Sequence, residues 1–144
     1  MQVYPSSDHA LVAGNTITDN GAGGVVLGSD GGTTTTDALV VNNILAGNRS
    51  AVSSFWGGGA GSNNVVRNNL VWGNTSNSMN ASGLTVSGTI SANPLFVNAP
   101  AGDFHLGAGS PALGAADIGY VLPADIDGDP RPLGSGPDLG AFEG

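Results

Sequence analysis

Three twelve-residue stretches of this chain align without gaps: HALVAGNTITDN at 9–20, DALVVNNILAGN at 37–48 and NNVVRNNLVWGN at 63–74. The offsets between them are 28 and 26 residues. One apolar column and two asparagine columns recur at every copy: Val12, Val40 and Val66; Asn15, Asn43 and Asn69; Asn20, Asn48 and Asn74. A fixed period of this length is the signature of a structure built from stacked repeats.

The apolar runs inside each repeat are short, rich in β-branched residues and interrupted by Gly or Asn, which predicts strands rather than helices. One turn per repeat, advancing by about 4.8 Å, would stack each column on itself. We expect the Val12 column to fill a dry interior and the asparagines to form ladders at two bends, since Asn tolerates left-handed backbone. The column that contains Arg67 should face solvent. A later strand is predicted at Val25–Leu27, Val52–Phe55 and Leu84–Val86.

Residues 8–92 resemble the right-handed parallel β-helix repeats of the pectate-lyase-like superfamily. The motifs that follow resemble the C-terminal end module of "choice-of-anchor Q" secreted bacterial proteins: NPLFV at 93–97, GDFHL at 102–106, GSPAL at 109–113, DIDGDPRP at 125–132 and PDLGAFE at 137–143. The resemblance implies an all-β right-handed parallel β-helix, a solenoid with three to four rungs at 1–92 and a C-terminal cap at 93–144. It also implies a fragment of a longer extracellular protein, although the first residues of this sequence do not predict a signal peptide.

The amino-acid composition excludes some classes of binding partner. The chain has 144 residues, a net charge of −8, no Cys and no Lys. The acidity argues against nucleic acid, because binding to phosphate backbones depends on Lys and Arg. No apolar run approaches the roughly 18 residues of a membrane span, so no membrane partner is expected.

Two residues of the repeat could carry catalysis. The alignment stacks His9 on Asp37, with Asn63 at the same place in the next repeat. A histidine oriented by a carboxylate can act as a general base or a metal ligand. The alternative is a solvated pair at a strand edge, and no nucleophile is specified. An enzyme on this pattern would be a hydrolase or polysaccharide lyase acting on a saccharide or ester.

A second cluster of candidate residues lies in the C-terminal third. Asp125, Asp127 and Asp129 alternate along a Gly- and Pro-containing loop, which suits Ca²⁺ or a turn held by aspartate side chains. His105 should be exposed between two apolar neighbours, and Asp103 beside it could share a substrate hydroxyl or a metal. No other cofactor is indicated.

Trp72 is the best binding candidate, because its column lies one step past the inward-facing column of Val71 and should be exposed. An exposed indole beside Asn and Ser can stack on a sugar ring, or it can pack on its own repeat. We therefore predict a non-catalytic extracellular module, structural or carbohydrate-contacting. Since the chain before Asp8 is short, the N-terminal repeat should be uncapped, and we expect a homo-oligomer formed through it.

Overall fold

A computed structural model describes residues 1–55, 59–76, 79 and 83–144 of the chain. Within those residues the fold is all-β, and the helices are two three-residue 3₁₀ turns, at Ala99–Ala101 and Ile118–Tyr120. None of the helices in this part of the chain is long and apolar enough to cross a membrane. The strands are β1 (Gln2–Val3), β2 (Leu11–Ala13), β3 (Thr16–Thr18), β4 (Gly23–Asp30), β5 (Thr33–Thr34), β6 (Leu39–Val41), β7 (Ile44–Ala46), β8 (Ser50–Phe55), β9 (Asn64–Arg67), β10 (Leu70–Trp72), β11 (Leu84–Ser87), β12 (Ile90–Ser91), β13 (Phe96–Asn98) and β14 (Asp103–Leu106).

Three parallel sheets are built by pairing each repeat with the next. Sheet 1 has the order β1-β4-β8, sheet 2 the order β2-β6-β9-β11, and sheet 3 the order β3-β7-β10-β12. Strand β5 joins sheet 1 antiparallel to β4. The predicted register is confirmed, because Val12 pairs with Val40 and Val40 with Val66.

The predicted later strand is right for the first two repeats and wrong for the third. Val25 pairs with Val52 in sheet 1. Strand β11, however, pairs with β9 in sheet 2, with Thr85 beside Val65 at an offset of 20 residues. Since the chain is shorter between β10 and β11 than between β7 and β9, it reaches sheet 2 earlier than the 26–28-residue period predicts. Residues from β11 onward therefore begin a fourth repeat.

The core forms from the residues that point between the sheets. Val12 is 4% exposed, and Val40 and Val66 are fully buried, as predicted. They pack with Val25, Val52 and other members of sheet 1 in one apolar cluster. Stacked branched side chains thus fill the interior column by column.

Both asparagine ladders are present at the bends. The Asn43 Oδ1 atom accepts from the backbone N–H and the side-chain Nδ2 of Asn15, and the Asn69 Oδ1 atom accepts the same two bonds from Asn43, all at 2.9 Å. The left-handed backbone lies one residue earlier than we expected, at Gly14, Asn42 and Asn68. The ladder asparagine holds the bend through its amide, while its predecessor makes the turn.

The C-terminal segment, residues 93–144, packs along the side of the sheets. Ile44 and Leu70 point outward from sheet 3 and are buried against Ala112 and Leu139 of this segment. This packing bridges successive repeats, because Ile44 and Leu70 are register partners.

The same segment overturns the expectation for the Arg67 column. Val41, one repeat before Arg67, is fully buried. The Asn42 and Asn68 amides beside it donate to the carbonyl oxygens of Asp117 and Ala115, both at 2.9 Å. Arg67 itself binds Asp117 at 2.7 Å. A column that would face solvent in an isolated repeat is therefore covered by the chain end.

Candidate functional site

An open groove lies where the C-terminal segment passes the outer face of sheet 3. Trp72 ends β10 in the column of Thr18 and Ala46, as the alignment predicts. Its side chain is 45% exposed, which confirms the expected orientation. With residues 93–100 it lines a groove of about 410 Å³, called the Trp72 groove below.

The wall opposite Trp72 is held in place by packing and hydrogen bonds. Phe96 and Phe104, on paired strands β13 and β14, meet edge to face with 5.2 Å between ring centroids. The Ser110 hydroxyl donates to the carbonyl oxygen of the buried Pro94 at 2.6 Å. Since both contacts fix the chain that forms the wall, the groove is pre-formed.

The polar lining of the groove is sparse and carries little charge. Asp19 contributes the one ionisable side chain among the lining residues, and Asn93 and Asn98 contribute amides. No Arg or His lines it. Such an arrangement offers apolar surface for stacking and a few hydrogen-bonding groups at the rim.

His9 and Asp37 are brought together, and Asp8 joins them. Among the described residues these are the one group of three ionisable side chains whose ligand atoms all lie within 4.8 Å of one another. The His9 Nδ1 atom is 2.9 Å from Asp8 Oδ2, and the His9 side chain is 76% exposed. The Thr36 hydroxyl and His9 donate hydrogen bonds that lower the pKa of Asp8.

The backbone explains why these side chains meet. His9, Asp37 and Asn63 occupy equivalent bends and all have left-handed φ values near +55°, at 56°, 52° and 58°. Asn63 is exposed at the third bend. The alignment anticipated this column, but it did not single out Asp8, whose only signal was its position beside His9.

His105 is exposed, as expected, and lies between two carboxylates. Its Nδ1 atom is 2.6 Å from Asp103 Oδ1, and its Nε2 atom is 2.8 Å from Asp127 Oδ2. Hydrogen bonds to Asp103 and then Asp127 raise the pKa of His105, and the bond from His105 lowers the pKa of Asp103. The Phe142 ring lies 4.3 Å from the imidazole, centroid to centroid. Sequence proximity predicts the pairing of His105 with Asp103, but it gives no sign of Asp127, which lies 22 residues further along the chain.

The loop that carries the three alternating aspartates is held by Asp125. Its Oδ1 atom accepts from the backbone N–H groups of Asp127 and Asp129, and its Oδ2 atom accepts from that of Glu143, all at 2.9 Å. Burial raises the pKa of Asp125, but these backbone donors together outweigh it and leave that pKa lowered. The geometry is that of an aspartate-stabilised turn. The calcium site stays a prediction.

Comparison with known proteins adds no relative: no family model, curated protein or solved structure matches this chain.

Proposed function

We propose that the three parallel sheets close into a right-handed parallel β-helix with two full repeats, a shortened third repeat and the start of a fourth. The first two repeats visit sheets 2, 3 and 1 in turn, and the described strands of the third and fourth lie in sheets 2 and 3. Register partners in successive repeats of sheet 2 are 28, 26 and 20 residues apart. Left-handed residues recur at each bend, and parallel strands joined across a sheet are almost always connected with right-handed chirality. The resemblance of 93–143 to the end module of choice-of-anchor proteins adds a secreted, extracellular origin to the proposal.

We further propose that the chain is a non-catalytic module that binds a neutral polysaccharide in the Trp72 groove. The observation that carries this proposal is the exposed indole of Trp72 on a rigid strand, facing a wall fixed by the Phe96–Phe104 pair. An indole face provides a flat apolar surface for the C–H face of a pyranose ring. The Asp19 carboxylate can accept hydrogen bonds from the sugar hydroxyls, and the Asn98 amide can both accept and donate them.

Charge selects among polysaccharides. The chain has a net charge of −8, and the groove lining contains one carboxylate and no cation. A polymer of uronic acids would be repelled by both. Uncharged sugars meet no such barrier, so the groove favours neutral polymers.

Affinity electrophoresis tests this proposal, using gels that contain a neutral polysaccharide such as xylan, mannan or β-glucan, with a polyuronate gel for comparison. We expect retardation in at least one neutral gel, and binding about tenfold weaker or more in Trp72→Ala, because stacking on an indole is worth about 1.5 kcal/mol. Tyr4→Ala is the matched control, since Tyr4 is an exposed aromatic residue outside the groove. Equal binding by Trp72→Ala and the original chain would contradict the proposal, as would failure to bind any neutral polymer.

A second candidate function rests on the convergence of Asp8, His9 and Asp37. We propose it as the acid–base centre of a hydrolase or lyase acting on a saccharide or ester, with His9 as the proton-transferring group and the carboxylates orienting it. Turnover of chromogenic esters or polysaccharides that is abolished in His9→Ala and retained in Trp72→Ala would favour this candidate over the binding module. Absence of turnover across such a panel would count against it.

A further inference from the structure

One end of the three sheets carries unpaired strand edges and an unused ladder acceptor. Strands β2 and β3 each pair on one side only, with β6 and β7, among the described residues. The Oδ1 atom of each ladder asparagine accepts hydrogen bonds from the ladder asparagine of the preceding repeat, as Asn43 Oδ1 does from Asn15. Asn15 belongs to the first repeat, and its Oδ1 atom has no donor among the described residues. We call this surface the N-terminal edge.

Apolar surface borders the N-terminal edge. Leu11 on β2 is 58% exposed and opens onto a second groove of about 520 Å³. Tyr120, Leu122 and Ile126 of the C-terminal segment line its other side and are also exposed. An unpaired strand beside exposed apolar side chains is a surface on which another strand can add.

The opposite end has complementary features. Strands β11 and β12 pair only with β9 and β10 among the described residues. Val86 lies in the interior column of Val66, yet it is 43% exposed, because no described strand pairs with β11 on the side away from β9. Thr89 precedes Ile90, the register partner of Leu70, and so occupies the ladder position of Asn69. We call this surface the C-terminal edge.

We propose that the occupant of the N-terminal edge is the C-terminal edge of a second copy of this chain, so that copies associate head to tail. Strand β11 of the incoming copy adds parallel to β2, and its β12 adds parallel to β3, which continues sheets 2 and 3 from one copy into the next. The backbone N–H of the incoming Thr89 donates to Asn15 Oδ1, as each ladder residue does within the chain. The exposed Val86 then stacks on the column of Val12.

This arrangement uses two different surfaces, so a row of any length still has one free N-terminal edge and one free C-terminal edge, at its two ends. Such heterologous contacts build open rows rather than closed dimers. Since each copy carries a net charge of −8, repulsion limits growth at low ionic strength and salt screening promotes it.

Sedimentation velocity on blocked variants tests the proposal. Leu11→Lys places a charge on the N-terminal edge, and Val86→Lys places one on the C-terminal edge. We expect the unmodified chain to rise above its 14.1 kDa monomer mass with concentration and salt, and each single variant to stay at that mass. An equimolar mixture of the two variants should form a species of twice the monomer mass, because the unchanged C-terminal edge of the Leu11→Lys variant can bind the unchanged N-terminal edge of the Val86→Lys variant. Circular dichroism checks that both variants fold, and Thr85→Lys replaces Val86→Lys if that variant does not.

Two results would overturn the proposal. One is a constant monomer mass for the unmodified chain at all concentrations and salts. The other is association abolished by Leu11→Lys but unaffected by Val86→Lys, which indicates a symmetric contact between two N-terminal edges. Neither result bears on the Trp72 groove, so the two proposals fail independently.

Discussion

Replacing Asn43 by aspartate tests the asparagine ladder with almost no change of shape. Asn43 is fully buried in the middle of the ladder. Its Nδ2 group donates to the carbonyl oxygens of Val12 and Val41 and to Asn69 Oδ1, all at 2.9 Å. An aspartate keeps the Oδ1 acceptor that serves Asn15, but its second oxygen faces three other acceptors.

The expected loss follows from these contacts, in which the two Nδ2 hydrogens are shared among three acceptors. A buried hydrogen bond contributes about 1–1.5 kcal/mol net, and acceptors left without a donor add a desolvation penalty, so we expect Asn43→Asp to cost about 3–5 kcal/mol. That is a large part of the roughly 5–15 kcal/mol by which a domain is usually stable. At the exposed end of the second ladder, Asn20 donates to Thr18 O and Asn48 Oδ1. Because water can replace those bonds, Asn20→Asp should cost about 1 kcal/mol or less.

Urea unfolding, followed by circular dichroism, gives both losses as changes in the free energy of unfolding at constant m-value. A loss below about 1 kcal/mol for Asn43→Asp would refute the reasoning, since the ladder would then act through shape alone. Equal losses in the two variants would refute it as well, because the argument depends on burial.

Three further outcomes are expected. Because the pKa of His105 is raised, its ion pairs stabilise the fold fully below about pH 6.5, and that contribution is lost as pH rises through the raised pKa. We therefore expect the urea midpoints of the unmodified chain, measured from about pH 5 to pH 9, to converge on those of His105→Gln at the alkaline end. Parallel curves for the two proteins would contradict this. Gly140→Ala should lower the melting temperature markedly, because at φ +91° a Cβ would lie 2.7 Å from Thr16 Oγ1, whereas Gly134→Ala, with open space around it, should leave the melting temperature unchanged. Both carboxylate oxygens of Asp125 accept hydrogen bonds from backbone N–H groups and so do not face an empty ligand position, and neither EDTA nor added Ca²⁺ should shift the melting temperature. A rise with Ca²⁺ that EDTA reverses would establish the calcium site instead.

The parts of the fold that the sequence predicts are those governed by contacts between neighbouring repeats. The Val12 column, the ladder from Asn15 and the exposure of Trp72 all follow from alignment, because each residue lies beside its own counterpart in the next repeat. Such contacts repeat, so three copies of one pattern reveal them. The start of the fourth repeat at Leu84 was missed because a shortened repeat breaks the period on which the alignment depends.

Contacts that occur only once in the chain could not be predicted from the sequence. Val41 is fully buried, and Asn42 beside it donates to Asp117, which lies 75 residues further along the chain; nothing periodic marks that pairing. The approach of Asp127 to His105 likewise depends on how the C-terminal segment folds on itself. At the candidate site, the exposure of Trp72 could be predicted, but the wall that faces it could not.

The position of the C-terminal segment has a consequence for synthesis. Ile44 and Leu70 emerge from the ribosome well before Ala112 and Leu139, the residues that cover them. The bond from Ala141 N–H to Thr16 Oγ1 joins residues 125 apart, so the first repeat gains this contact only after Ala141 has been synthesised. During translation, this apolar outer face therefore stands exposed until Leu139 has left the exit tunnel, and chains arrested short of Leu139 should be clients for chaperones or proteases.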